Sequence, residues 1–321
     1  MKNIVKKWGI IFCILLLPTI SHGGILFQEF FEDTNFTSRG WYDTTATSSA
    51  ISNTTFIEGS GSYECHWLQG KSGCNGGDPK RHKFTPTDTV FITYWIKHSS
   101  NWIGSGCNYH PHLIHFLTTV DGDYSGLART HLTTYVEENR LKPLIEMQDG
   151  LNIDETKIGV NLTNVTENRA NHGCNGIPDS SNADVNDCYS CGTGVHCNER
   201  WWISPSIAFT DSAGPYYKGD WHHIEAYFAL NSIVSGKGVG DGKIRYWLDG
   251  QLLISKDNVM IRTGANPTMQ FNQLIIAPYM KCGSGSPIDQ SIWIDDLTVA
   301  TSGISDTTKP SPPQNLRIIG P

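Results

Sequence analysis

Positive charge, long apolar runs and helical periodicity are all scarce in this sequence. Lysine and arginine number 24 against 31 acidic residues, for a formal net charge of -7. Nucleic-acid binding needs a basic surface to meet phosphates, so this balance argues against a nucleic-acid partner. It also disfavours broad attraction to polyanions, although one basic cleft could still act locally. Only one long apolar run occurs, residues 10–17, and it is too short to span a bilayer. Apolar residues seldom recur at a helical period and no repeat is visible, which leaves short alternating runs as the organising pattern.

The single apolar run has the form of an export signal. Lys2, Lys6 and Lys7 precede it, Pro18 breaks it, and Ser21-His22-Gly23 places small residues where a signal peptidase reads. Residues 1–23 are therefore expected to be removed, leaving a secreted or periplasmic monomer that is free of the membrane; an uncleaved anchor is the alternative. Loss of the three lysines lowers the basic count to 21 and takes the net charge to about -10. Cys13 leaves as well, so eight of the nine cysteines remain. An even count in an oxidising compartment reads as a disulfide set, paired within local clusters. Cys174, Cys188, Cys191 and Cys197, with His172 and His196, could instead hold zinc.

What is abundant is β-pattern. Alternating runs recur at residues 90–97, 113–118, 129–136, 143–147, 222–230, 244–248, 273–277 and 292–299, with Gly, Asn, Asp and Ser between them. Asp249-Gly250 separates Lys243-Ile244-Arg245-Tyr246-Trp247-Leu248 from Gln251-Leu252-Leu253-Ile254. An Asp-Gly pair in this setting predicts a type I′ hairpin, because both central residues need positive φ. Residues 24–300 are read as one all-β domain, and residues 301–321 as a Ser/Thr/Pro-rich linker or tail. Pro312-Pro313-Gln314-Asn315-Leu316-Arg317-Ile318 in that tail resembles the opening strand of a fibronectin type III module.

Phe30-Phe31-Glu32-Asp33, Trp221-His222-His223-Ile224-Glu225, Tyr246-Trp247-Leu248-Asp249-Gly250 and Ile292-Trp293-Ile294-Asp295-Asp296-Leu297 resemble the concanavalin A-like lectin/glucanase superfamily. Within it the chain is similar to jelly-roll polysaccharide lyases of the alginate, glucuronan and heparin type. The resemblance implies a sandwich of two curved antiparallel sheets whose concave face holds an extracellular polysaccharide. The Glu-x-Asp-x-x-Glu strand of the glucanase branch is absent. Of the alginate lyase signatures, only Tyr216-Tyr217-Lys218-Gly219 is a partial echo.

A lyase acting on a uronate needs a neutraliser for the carboxylate, a base for the α-proton and an acid for the leaving oxygen. Arg129, His131, Thr133 and Tyr135 alternate and would share one strand face. That assigns Arg129 as neutraliser, His131 as base and Tyr135 to substrate binding. His112 is the second candidate base and Tyr109 a candidate substrate contact; His110 and His112 would shape the rim of the cleft or, alternatively, clasp a metal. Gln148 could share in neutralising the carboxylate if its strand neighbours that of Arg129. Tyr217 is a candidate catalytic tyrosine, with Lys218, Glu225 and Tyr246 as substrate contacts. Glu225 with Glu146 would be the carboxyl pair of a glycoside hydrolase.

In this family the first and last strands often share a structural calcium, which points to Glu32 and Asp296; no organic cofactor is expected. Four Asn-x-Ser/Thr sequons begin at Asn35, Asn53, Asn161 and Asn164 and matter only in a eukaryotic secretory pathway. The leading reading is an exported polysaccharide lyase. The alternatives are a non-catalytic carbohydrate-binding module and a glycoside hydrolase.

Overall fold

The computed structural model describes residues 24–106, 111–126, 130–139, 141–149, 186–192, 195–264, 266–280 and 283–303, with main chain alone at 149, 186–192 and 195–201. The expected signal segment, the tail beyond residue 303, the sequons at Asn161 and Asn164, and Tyr109, His110 and Arg129 lie outside the described residues. So do the side chains of Cys107, Cys174, Cys188, Cys191, Cys197 and Cys282.

Among the described residues eighteen strands follow one another. They are β1 Ile25–Glu29, β2 Trp41–Tyr42, β3 Ile51–Ser52, β4 Ser62–Trp67, β5 Lys80–Thr87 and β6 Thr89–His98. Next come β7 His112–Thr118, β8 Thr133–Asn139, β9 Lys142–Asp149, β10 Asn186–Gly192, β11 Val195–Ile203 and β12 His222–Ala229. The series ends with β13 Ile233–Val234, β14 Lys237–Gly238, β15 Gly242–Leu248, β16 Gln251–Val259, β17 Phe271–Tyr279 and β18 Gln290–Ala300. β13 and β14 form a small separate hairpin, and the others build two eight-stranded antiparallel sheets.

The first sheet runs β16-β15-β12-β6-β18-β4-β3, with β1 also on β18; the second runs β10-β11-β9-β8-β7-β17-β5-β2. The two sheets form the jelly-roll sandwich that the sequence pattern implied. The first and last strands pair, with Glu29 opposite Leu297. Asp249 and Gly250 take φ of 50° and 77°, the type I′ turn expected between β15 and β16.

Alternation assigns each strand one inward row. From the first sheet come Val90, Ile92, Tyr94 and Ile96, then Ile224, Ala226 and Phe228, then Ile244, Tyr246 and Leu248. The second sheet answers with Ile114, Phe116, Val136, Ile145, Met147, Leu274 and Ile276. Phe116 and Phe228 meet across the interface edge to face at 6.1 Å. Side chains of this size each contribute roughly 1.5–3 kcal/mol when fully buried.

One polar knot interrupts the apolar layer. Glu138 on β8 lies 3.0 Å from His98 Nε2 on β6 and accepts the indole N–H of Trp102 at 2.6 Å, so a buried carboxylate ties the two sheets together. A disulfide joins Cys65 on β4 to Cys74 in the loop before β5, a local pairing of the kind expected.

Candidate active site

Cross-strand pairing builds one row on the outward face of the second sheet. Tyr42 pairs with Arg81, Arg81 with Ile275, Ile275 with His115, His115 with Tyr135, and Tyr135 with Glu146. Their chain neighbours Ile114, Phe116, Val136, Ile145, Leu274 and Ile276 occupy the core, so alternation sends the row outward. Gln148 and Glu137 share this face, two residues on from Glu146 and Tyr135.

Tyr135 sits at the centre. Its hydroxyl donates to Gln148 Oε1 at 2.7 Å, and its ring meets His115 edge-on at 4.7 Å and His112 at 4.9 Å. A three-residue spacing would put His112 and His115 on opposite faces of a regular strand. Pairing with β17 slips between Ile276 and Tyr279, where His112 pairs, and both imidazoles end on the outward side with ring centroids 5.7 Å apart.

Burial governs the charge states here. It pushes His112 down to about 3. His115 is also held well below the ordinary histidine value, first by burial and then by its electrostatic interaction with His112 and the charge of Arg81, against a backbone hydrogen bond at Ile275. Glu137 is driven well above the carboxylate range by burial, opposed by a hydrogen bond with Glu146 and reinforced by the charge of Glu138. His112 Nδ1 and Glu137 Oε2 lie 2.7 Å apart. Because burial favours the uncharged form of both, this contact is a neutral hydrogen bond rather than an ion pair.

Arg81 anchors the other end of the row. It donates to Gln273 Oε1 at 2.9 Å, to Asp43 at 3.0 Å and to the Ser125 carbonyl at 3.0 Å. Gln273 in turn donates to the Tyr42 hydroxyl. Burial pushes that phenol up to about 12, against the charge of Arg81. The cluster itself is buried, but rings emerge at both ends of the face. Tyr124 is 68% exposed and packs edge-on to Tyr42 at 5.6 Å, while Tyr279 is 37% exposed and lies parallel to His112 at 6.4 Å.

The structure thus brings together three of the residues singled out from the sequence: His112, Tyr135 and Gln148. His131 does not share their strand face, because β8 begins only at Thr133. His131 precedes it in a bend, with its amide donating to Asp121 at 2.7 Å and its Nδ1 3.3 Å from the same carboxylate oxygen. Tyr246 does not share this face, since its ring belongs to the apolar core between the sheets.

Lys218 is a loop staple rather than a substrate contact. Its ammonium donates to the Trp102 carbonyl at 2.6 Å and pairs with Asp211. Tyr217 lies in the same loop, its carbonyl held by His222 Nε2 at 2.8 Å. Glu225 lies on the outward face of the first sheet, in register with Thr93 and Trp247. The hydrolase pairing of Glu225 with Glu146 is therefore excluded, because the two point away from opposite sides of a sandwich whose sheets stand about 10 Å apart.

Glu32 is exposed in the turn after β1, where its carboxylate takes the amide and hydroxyl of Ser60 at 2.8 and 2.5 Å. Asp296 lies within β18 with φ of 48°, its carboxyl raised by burial and by the charge of Glu58.

Sequence reasoning missed His115, Arg81, Gln273 and Tyr42. His115 was visible as the last member of a histidine run, but the irregularity that turns it toward His112 was not. Arg81 and Gln273 stand 192 positions apart, and no local pattern joins them.

No protein-family model matches the chain, and no curated protein matches it in sequence. Solved structures similar to it include polysaccharide lyases. The marine alginate lyase from Aplysia kurodai is 12% identical, covering 87% of this chain and 99% of its own, with a TM-score of 0.49. The endo-beta-1,4-glucuronan lyase from the fungus Trichoderma reesei is 12% identical over 87% of this chain and 96% of its own, with a TM-score of 0.46. The alginate lyase vAL-1 from Chlorella virus is 10% identical over 78% and 89%, with a TM-score of 0.47.

Proposed function

We propose that the protein cleaves a uronate-containing polysaccharide by β-elimination on the outward face of the second sheet. The observation that carries this reading is Tyr135, hydrogen-bonded to Gln148 and packed against two imidazoles that burial keeps uncharged. Gln148 turns its carbonyl toward Tyr135, and its amide N–H donors match a uronate carboxylate. There they stabilise the negative charge that builds up when the α-proton leaves.

Tyr135 is the proton carrier. Its phenolic proton is first lost to solvent water, and the phenolate oxygen then takes the proton from C5. The C5–H electrons form the C4=C5 double bond, the C4–O4 bond breaks with its electrons on O4, and the phenol returns the proton to O4. The phenolate is restored and one new unsaturated end is made.

Hydrolysis is disfavoured by the acids present. Glu137 and Glu146 share a hydrogen bond, whereas carboxyls that flank a glycosidic bond stand about 5 Å or more apart.

The test is to incubate the signal-free protein with alginate, glucuronan and a neutral glucan, recording ultraviolet absorbance of unsaturated ends and release of reducing ends. Absorbance should grow on a uronate polymer and fall about 10²–10⁴-fold in Tyr135→Phe. Reducing ends without absorbance would replace the lyase by a hydrolase. Binding without either signal would leave a carbohydrate-binding module.

A further inference from the structure

Three buried side chains next to Tyr135 carry no proton in that elimination. Among the described residues one group of three metal-capable side chains comes together: His112, His115 and Glu137, whose donor atoms all lie within 4.8 Å of one another. We propose that these three residues bind a divalent transition-metal ion of the zinc class in the floor of the second sheet's outward face.

The geometry is close to what one ion requires. Zinc sits about 2.0–2.2 Å from imidazole nitrogens and carboxylate oxygens in a tetrahedral array, so its donor atoms stand about 3.4 Å apart. Rotation of side-chain torsions must bring the widest pair about 1 Å closer to seat the ion. Two imidazoles and one carboxylate form a donor set that holds zinc while leaving one position open for a substrate oxygen.

Unsatisfied polar atoms point to the same place. His115 is fully buried, and neither ring nitrogen reaches a side-chain partner among the described residues. Glu137 is 2% exposed, and its Oε1 is likewise buried without a geometrically formed hydrogen bond. Buried polar atoms are normally paired, and buried nitrogens and an oxygen that lack side-chain partners beside one another fit a ligand site.

The supporting frame is rigid. His112 and His115 stand on β7 and Glu137 on the adjacent β8, and the slip in β17 pairing is what brings His112 to the same side as His115. The Tyr135 ring packs on both imidazoles, so the ligands are held from outside as well.

Resting on the lyase reading, the ion would lie where a uronate carboxylate approaches Gln148. It would then share with the amide in neutralising that carboxylate.

The experiment is metal loading of the signal-free protein, with Zn²⁺ and Co²⁺ as the probes. Bound metal is counted by elemental analysis after gel filtration, and the cobalt form is followed by its absorption spectrum. One equivalent per chain is expected, with visible d–d bands and no sulfur-to-cobalt charge transfer. That spectrum separates this site from any held by cysteines. His115→Ala and Glu137→Gln should each lose the equivalent, whereas Tyr135→Phe should keep it.

The proposal is overturned if folded wild-type protein takes up neither ion, if the cobalt spectrum is that of thiolates, or if both ligand variants bind as wild type does. The wild-type measurements stand even if a variant fails to fold. The two readings also fail separately. Unsaturated ends formed by protein shown to be metal-free would remove the metal and keep the lyase. A sulfur-free metal site with no elimination on any polymer would remove the lyase and keep the metal.

Discussion

The outward face of the first sheet sets Phe91, Trp95, Tyr227, Trp247 and Trp293 around Glu225, whereas the outward face of the second sets Tyr135 among His112, His115, Glu137, Glu146 and Gln148. Aromatic rings dominate the first. Phe91 and Trp247 stand 6.4 Å apart and Trp95 and His223 5.0 Å, with His223 bonded to Thr93. On the second face, titratable groups touch one another, and burial holds the histidines uncharged and Glu137 protonated. Rings on a sheet suit stacking, but proton transfer needs polar groups whose environment has moved their charge states. On the proposed reading, the ring-rich face of β6, β12, β15 and β18 is scaffold, and the chemistry belongs to the second sheet, to which β17 of the same segment contributes.

The largest test of this contrast compares one residue from each face. Tyr135→Phe should lower kcat/KM for elimination about 10²–10⁴-fold. Glu225→Gln should leave it within about threefold, because Glu225 faces away from the site. Both are read by the rate of absorbance growth on the responsive uronate polymer. A large loss in Glu225→Gln with Tyr135→Phe unaffected would reverse the assignment of faces.

A second test uses adjacent residues of β8. Glu137 faces outward and Glu138 inward, one bonded to His112 and the other to His98 and Trp102. Glu138→Ala strands two buried partners and should cost about 3–5 kcal/mol of unfolding free energy, measured by urea titration. Glu137→Gln keeps a hydrogen-bonding group of similar size and should cost about 1 kcal/mol or less. Equal losses in the two variants would mean that Glu137 is also a stability residue.

Fold and site differ in how far local pattern reveals them. The hairpin at Asp249-Gly250 was legible because turn chemistry is local, and β12 was legible as a central strand because both of its faces carry large groups. β5 was not legible. Its Lys80-Arg81-His82-Lys83 reads as a charged surface loop, yet Arg81 is 8% exposed, matched by Asp43 from the bend after β2 and by Gln273 from β17. Of the site, Tyr135 and Gln148 could be read once their strands were taken as neighbours. Alternation then misled in two ways. It extended the Tyr135 row back to His131, which precedes the strand, and it would have separated His112 from His115, which a local slip in pairing reunites. Both failures arise where a strand begins or its register shifts, and side-chain periodicity carries no record of either.

The smallest effect concerns the loop of Tyr217 and Lys218, which the sequence placed at the site and the structure places elsewhere. His222 on β12 ties this loop to the Asp249 turn, with Nδ1 2.8 Å from Asp249 and Nε2 2.8 Å from the Tyr217 carbonyl. Burial opposes the charged imidazole, but the hydrogen bond and charge of Asp249, with the Tyr217 carbonyl and Asp220 adding to them, outweigh it and raise the His222 value. A histidine raised in the folded state stabilises fully below its unfolded value of about 6.5 and loses that contribution as pH climbs through the raised value. His222→Gln should therefore cost about 1–2 kcal/mol near pH 5.5 and less above pH 8, as read by thermal unfolding at matched ionic strength. Elimination by the folded variant should be unchanged at either pH if this loop is structural. A fall in kcat/KM that follows the His222 titration would return Tyr217 and Lys218 to the site, and would mean that the two ends of the sandwich act together.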